Sequence, residues 1–211
     1  IREGEENAIG EIHHEIRAIE TLEAAISASQ ASAFHNSMGS HWRFGKGFAI
    51  GNESPGVGET NASVCLGLDG TVTVFTPVFE QGSGVYTTLR QVVSDELGLT
   101  PGRIRIQVSD TDSVPFDSGM GASRVTRIAT QAAYKAVSDA RDQVFEIMRD
   151  LHGWHPRNIS LSGDAVINGE TDEAIPWASL LIENGQAITG IGHVKDTDPS
   201  PVTSFTVQVA D

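Results

Sequence analysis

Two glycine-rich turns are where this sequence could do chemistry. Gly82-Ser83-Gly84 and Gly119-Met120-Gly121-Ala122-Ser123 each follow a strand-like segment and stand directly before a helical pattern. The first turn of a helix has backbone N–H groups without intrahelical partners, and the macrodipole places partial positive charge there. Glycine lets a backbone approach a ligand closely and adopt positive φ. Ser83 and Ser123 add hydroxyls. Such turns suit an anion or a polar cofactor. Taken singly, each is more simply read as a strand-to-helix turn that needs glycine for its geometry alone.

Arg124 and Arg127 fall in the first turn of the second helix. Cations there oppose the macrodipole and cost a few tenths of a kcal/mol each, on the order of the dipole effect itself. A nearby anionic ligand would account for them. So would an acidic side chain, with Asp110, Asp112 and Asp117 as local candidates.

No catalytic group stands out. There is no nucleophile elbow and no HExxH. His13 and His14 sit on adjacent faces of an expected helix, where neighbours do not face each other, so a solvated surface is expected. His152 and His155 flank an expected helix end, which favours a capping role. Asp110-Thr111-Asp112 lacks the downstream glutamate of a calcium loop. The single cysteine, Cys65, can form no internal disulfide and reads as a buried structural thiol in a reducing compartment.

The elements that must position the turns follow from periodicity. Residues 10–29 read as a helix with Ile12, Ile16, Ile19, Leu22 and Ile26 as its stripe. Residues 30–43 read as a loop, 44–51 as a short strand and 51–58 as a turn-rich connection. Alternating runs at 62–68 and 71–78 flank Asp69-Gly70, a hairpin signal. A helix is expected over 85–97 with Gly98 as its stop, and a strand over 103–108. The segment 110–122 reads as a loop. A long helix over 124–151 carries Ile128, Ala132, Ala136, Ala140, Val144, Ile147 and Leu151. Strands and turns follow, with one helical turn at 176–181. The order predicts an α+β fold, a mixed or antiparallel sheet with helices packed on one face. The domain division expected is 1–43 as a linking helix and loop, and 44–211 as a ligand-binding lobe.

Composition narrows the class. With 14 Lys and Arg against 28 Asp and Glu, the formal charge is −14. Such a surface repels phosphate backbones and anionic bilayers, so neither nucleic acid nor membrane is expected as a partner. With no visible secretory signal, a cytoplasmic location is expected. The chain opens Ile1-Arg2-Glu3-Gly4 and closes on an alternating run, Ser204 to Asp211, so both ends read as cut from a longer polypeptide.

From about Phe44 to Arg141 the chain resembles the molybdopterin-binding part of the xanthine dehydrogenase/aldehyde oxidase family. The matching pieces are Gly45-Lys46-Gly47-Phe48-Ala49, Asp69-Gly70-Thr71-Val72 and Glu80-Gln81-Gly82-Ser83-Gly84-Val85-Tyr86-Thr87. Glu96-Leu97-Gly98-Leu99, Ser109-Asp110-Thr111-Asp112-Ser113-Val114-Pro115 and Gly121-Ala122-Ser123-Arg124 continue them. Each piece is weak alone; their order and spacing make the resemblance specific.

That resemblance implies a molybdenum hydroxylase of aldehydes or nitrogen heterocycles, with water as the oxygen source and a relative that oxidises carbon monoxide. It implies molybdopterin as cofactor, with [2Fe-2S] clusters and FAD on partner domains or subunits in an oligomeric assembly. Gln81, Gly82, Ser83 and Gly84 would approach the pterin or the molybdenum ligands. Gly121, Ala122, Ser123 and Arg124 would hold the pterin or its phosphate side and line the substrate channel.

The sequence also departs from the pattern. Ser83 stands where many relatives have Gln, and Val125 and Thr130 where small residues are expected. The family's catalytic glutamate belongs to a later GxGE motif that is absent here, so no catalytic residue is expected in this chain. The other reading is a structural or interaction domain that keeps the fold without cofactor. A small-metabolite domain of unrelated fold is a third.

Overall fold

The structure is a computed structural model that describes residues 2–6, 10, 12–14, 16–31, 45–53, 56–108, 112, 114, 116–197 and 204–210. The chain divides into two compact units, 1–57 with 198–211, and 58–197. The first is therefore discontinuous in sequence.

In the first unit, helix α1 (Ala18–Ala31) lies against strand β9 (Ser204–Ala210), which pairs antiparallel with β1 (Gly47–Glu53). The expected helix thus starts eight residues late. Gly10 has φ +87°, and the segment after it folds back: Glu6 bridges Ile12, and the His13 amide donates to the Glu5 carbonyl at 2.9 Å. His13 is 5% exposed, not solvated as expected, because it belongs to this folded-back segment and not to a helix face. His14 is exposed as expected, 3.7 Å from Glu3. The loop expected over 30–43 and Phe44 lie outside the described residues, apart from positions 30 and 31, which end α1.

The second unit carries the core. Strands β2 (Gly58–Leu66), β3 (Val72–Thr76), β4 (Ile104–Val108) and β8 (Ile188–Asp196) form a four-stranded sheet in the order β4-β3-β2-β8. The Asp69-Gly70 hairpin joins β2 and β3 antiparallel, with Gly70 at φ +81°. β3 and β4 run parallel, so helix α2 (Val85–Leu97) crosses between them, ended by Gly98 at φ +65°. The sheet is mixed, and the architecture is the expected α+β. A small antiparallel sheet follows: β5 (Ile159–Ser162), β6 (Ala165–Asn168) and β7 (Ala174–Pro176). Helix α4 (Trp177–Asn184) is longer than the single turn expected.

Helix α3 (Val125–His152) lies along β2 and β8. Its buried line includes Ile128, Ala132, Ala136, Ala140 and Val144, as the periodicity predicts, but closes on Met148 while Leu151 is 45% exposed. β8 presents Gly190 and Gly192 to this helix. A Cβ on Gly192 would stand 2.7 Å from the Ala136 nitrogen, and one on Gly190 would stand 2.9 Å from the Ala140 Cβ. Helix backbone therefore rests directly on strand backbone.

Cys65 is half-buried rather than buried, because it alternates onto the face of β2 turned away from α3, opposite Thr73 and Thr189. His152 pairs with Glu183 at 3.2 Å, and Gly153 in the left-handed region caps α3 in place of a histidine. His155 caps a short 3-10 turn, its Nδ1 accepting from Arg157 N at 3.2 Å.

Candidate functional site

The two glycine turns meet. A cleft of about 410 Å³ is lined by Gln81 and Ser83 from the first turn and by Gly121, Ala122 and Ser123 from the second, with Val125 and Thr126 at the start of α3. Five of the eight residues singled out by sequence, Gln81, Ser83, Gly121, Ala122 and Ser123, line the cleft, while Gly82, Gly84 and Arg124 belong to the same turns without lining it. Val125 and Thr126 were not anticipated as wall residues, although their place in the first helical turn is the available signal.

β3 and the hairpin partner β2 set this geometry. After β3 the chain passes Pro77 and Phe79, turns through Gly82 (φ +94°) and Gly84 (φ +76°), and enters α2 with Val85 fully buried. The opposite wall is fastened to β2. Ser118 N donates to the Glu59 carbonyl at 2.9 Å, the Glu59 amide donates to Ser118 Oγ at 2.8 Å, and Asn61 Nδ2 donates to the Phe116 carbonyl at 2.7 Å. Beyond this, Ala122 (φ +46°) and Ser123 (φ +54°) are successive non-glycine residues in the left-handed region. Each costs about 1–2 kcal/mol, and such strain gathers at functional turns.

The donors at the two helix starts are not equivalent. At α2 the Glu80 carboxylate accepts from the amides of Gly82 at 2.7 Å, Gly84 at 3.0 Å and Tyr86 at 3.3 Å. The Gly84 N–H bond foremost holds the Glu80 carboxyl below its ordinary range; desolvation opposes it, and the Tyr86, Gly82 and Ser83 amides add to the lowering. Sequence reasoning did not single out Glu80, although an acid just before a helix start is a recognisable signal. At α3 the N-cap residue, Arg124, contributes no side-chain cap.

The two arginines find different partners, and Arg127 finds an acid, though not one of the local candidates. Arg127 forms an ion pair with Asp196 on β8. Arg124 donates through Nε to the Gly119 carbonyl at 3.0 Å and through Nη2 to the Ser118 carbonyl at 2.7 Å. Gly58 makes room for this guanidinium, since a Cβ there would lie 3.0 Å from its Cζ. Of the acids considered, Asp117 accepts from the Gly119 amide at 2.6 Å, Asp112 is exposed, and Asp110 lies outside the described residues. Thr130 turns its hydroxyl to the Thr126 carbonyl at 2.6 Å.

Gly121 has no positive φ, and a Cβ there would meet nothing within 4 Å. Neither conformation nor internal packing explains a glycine at that point of the cleft wall. Beside the polar cleft, the same two loops line an apolar one of about 490 Å³, with Pro77 and Phe79 facing Phe116 and Met120. No group of three or more His, Cys, Asp or Glu among the described residues could hold a metal ion, and no described helix is long and apolar enough to cross a membrane.

The molybdopterin cofactor-binding domain family matches residues 18–211. Aldehyde oxidase 1 of Macaca fascicularis is 36% identical over 148 residues, which is 70% of this chain and 10% of that protein. A probable hypoxanthine oxidase of Escherichia coli K12 is 25% identical over 159 residues, 74% of this chain and 16% of that protein. The chain thus spans about a sixth or less of these relatives' length. Among solved structures, quinoline 2-oxidoreductase from Pseudomonas putida 86 shares the fold with a TM-score of 0.64 at 19% identity, over 98% of this chain and 30% of that one. The aldehyde oxidoreductase from Desulfovibrio gigas does so with a TM-score of 0.63 at 18% identity, over 99% of this chain and 23% of that one. With a family match over most of its length and the fold of these enzymes' domains, the chain belongs to the molybdopterin cofactor-binding domain family of the xanthine dehydrogenase/aldehyde oxidase type.

Proposed function

We propose that this chain is the part of a molybdenum hydroxylase that holds molybdopterin in the cleft between its two glycine turns. The observation that carries the reading is Gly121, a glycine that its own fold does not require, on the wall of a cleft shared by both turns. Ala122 and Ser123, held in the left-handed region, support it. The residues fit the group: Ser123 Oγ, Thr126 Oγ1 and the α3 start suit its phosphate side, and Gln81 and Ser83 offer neutral polar groups to its other end. Gly82 and Gly84 act through the shape of the turn, since their amides serve Glu80. Arg124 acts indirectly, by fastening the loop that carries the second turn.

When bound, the cofactor would supply hydroxylation of an aldehyde or nitrogen-heterocycle carbon with oxygen from water, its electrons leaving through [2Fe-2S] and FAD partners. This chain's own residues bind and orient; none is assigned a proton or a covalent step. The neighbouring apolar cleft suits a flat unsaturated ring. A cytoplasmic oligomer fits the reading.

A second reading, a domain that keeps the fold without cofactor, is favoured by one observation: the donors of the first turn are already held by Glu80. The experiment that separates the two is molybdenum and pterin analysis of the full-length protein purified with its partners, from a host that makes the cofactor. About one of each per chain supports the hydroxylase reading. Neither one overturns it in favour of the second.

A further inference from the structure

We propose that Glu80 is a positioning residue that closes the amino end of α2 to anions, and so fixes which way round an anionic ligand lies in the cleft. The inference rests on the reading that the cleft holds molybdopterin, and adds how its two walls are told apart.

Glu80 Oε1 accepts from Gly82 N at 2.7 Å and Gly84 N at 3.0 Å, and Oε2 accepts from Tyr86 N at 3.3 Å. The Ser83 hydroxyl lies 3.5 Å from Oε1. Gly84 N and Tyr86 N are among the donors that the start of α2 offers to an outside anion, and Gly82 N belongs to the turn before it. Here a carboxylate of the chain itself holds them, and they in turn hold its carboxyl below the ordinary range. The same sequence feature, a glycine turn before a helix, is therefore wired differently at its two occurrences: Glu80 takes amides at the start of α2, whereas Asp117 takes the Gly119 amide, five residues before the N-cap of α3. The α2 turn presents a fixed negative charge with the neutral side chains of Gln81 and Ser83. The α3 turn presents Ser123, Thr126 and a helix start whose N-cap adds no side-chain acceptor. A phosphate-bearing ligand lying across the cleft is repelled from the first wall and accepted at the second.

The test uses the full-length protein in its cofactor-free form and inorganic sulfate alone as probe. Sulfate affinity is measured by calorimetric titration for wild type, E80Q and E80A. E80Q removes the charge while keeping the shape and an amide oxygen for Gly82 and Gly84; it decides the matter if E80A does not fold. Both variants are expected to bind sulfate on the order of tenfold more tightly than wild type, roughly the factor that relief of one close like charge gives. The gain should shrink as sodium chloride is raised. A residue that merely braces the turn would lower the melting midpoint and leave sulfate affinity and its salt dependence unchanged, and that result overturns the proposal. Failure of the hydroxylase reading shows instead as a wild-type protein without molybdenum or pterin, a separate measurement.

Discussion

The amide of Ile191 on the edge strand β8 donates to the carboxylate of Asp139 on α3 at 2.8 Å. Two neighbours repeat the arrangement: Lys135 Nζ donates to the His193 carbonyl at 3.0 Å, and Gln143 Nε2 donates to the Thr189 carbonyl at 3.2 Å. Lys135, Asp139 and Gln143 follow one another at four-residue steps, each three residues after Ala132, Ala136 or Ala140. The alanines sit on Gly190 and Gly192. Because those glycines let the helix sink onto the strand, the polar row reaches around to its open edge. An unpaired edge is a template for strand addition, and this row covers it.

Removing the row should therefore change association more than stability. Asp139→Ala is expected to cost about 0.5–1 kcal/mol in denaturant unfolding, the worth of an exposed hydrogen bond. The combined variant K135A/D139A/Q143A should shift the full-length protein to larger species in light scattering. A triple variant with wild-type mass and concentration dependence would refute the idea.

The glycines beneath the row should tolerate nothing larger. Gly192→Ala places a methyl against the Ala132 carbonyl and Ala136 nitrogen, backbone atoms that can move only with the whole helix. Overpacking of this kind is expected to cost about 3 kcal/mol or more. Urea unfolding measures it, and a loss below about 1 kcal/mol would mean that α3 does not rest on the strand.

Gly121→Val separates binding from folding. With ordinary φ and open space at its Cβ direction, the valine should leave the melting midpoint within a few degrees of wild type. The same side chain should project into the cleft and abolish molybdenum and pterin retention. Gly82→Val is a poorer probe, since φ +94° strains any side chain there. A G121V protein with full cofactor content counts against the assigned cleft.

Glu80 should make the protein acid-sensitive in a definite direction. Its folded-state pKa is held down, chiefly by the Gly84 N–H, so its contribution is present above the ordinary glutamate range. That contribution is lost as the pH falls through the depressed folded value. Wild type should exceed E80Q in stability at neutral pH, with the difference vanishing toward strong acid. Parallel stability curves for the two proteins over that range would contradict this.

Elements that carry their own short-range signals are legible along the chain. Asp69-Gly70 sets the β2–β3 hairpin, Gly98 ends α2, and the alanine-rich 3.6-residue stripe builds α3. The order and spacing of its motifs also carried the family resemblance that residues 18–211 bear out. Contacts between residues distant in the chain set the rest. The folding-back of residues 12–14 onto 4–6 overrode an isoleucine pattern that reads as helix, and buried His13. Arg127 finds Asp196, 69 residues away, and Arg124 donates to the loop carbonyls of Gly119 and Ser118. Only the sheet brings the two glycine turns onto one cleft, and only side-chain placement shows that Glu80 has already taken the donors of one of them. Periodicity and turn chemistry act between near neighbours and are written along the chain; charge pairing and helix-on-strand packing act across the fold and are not.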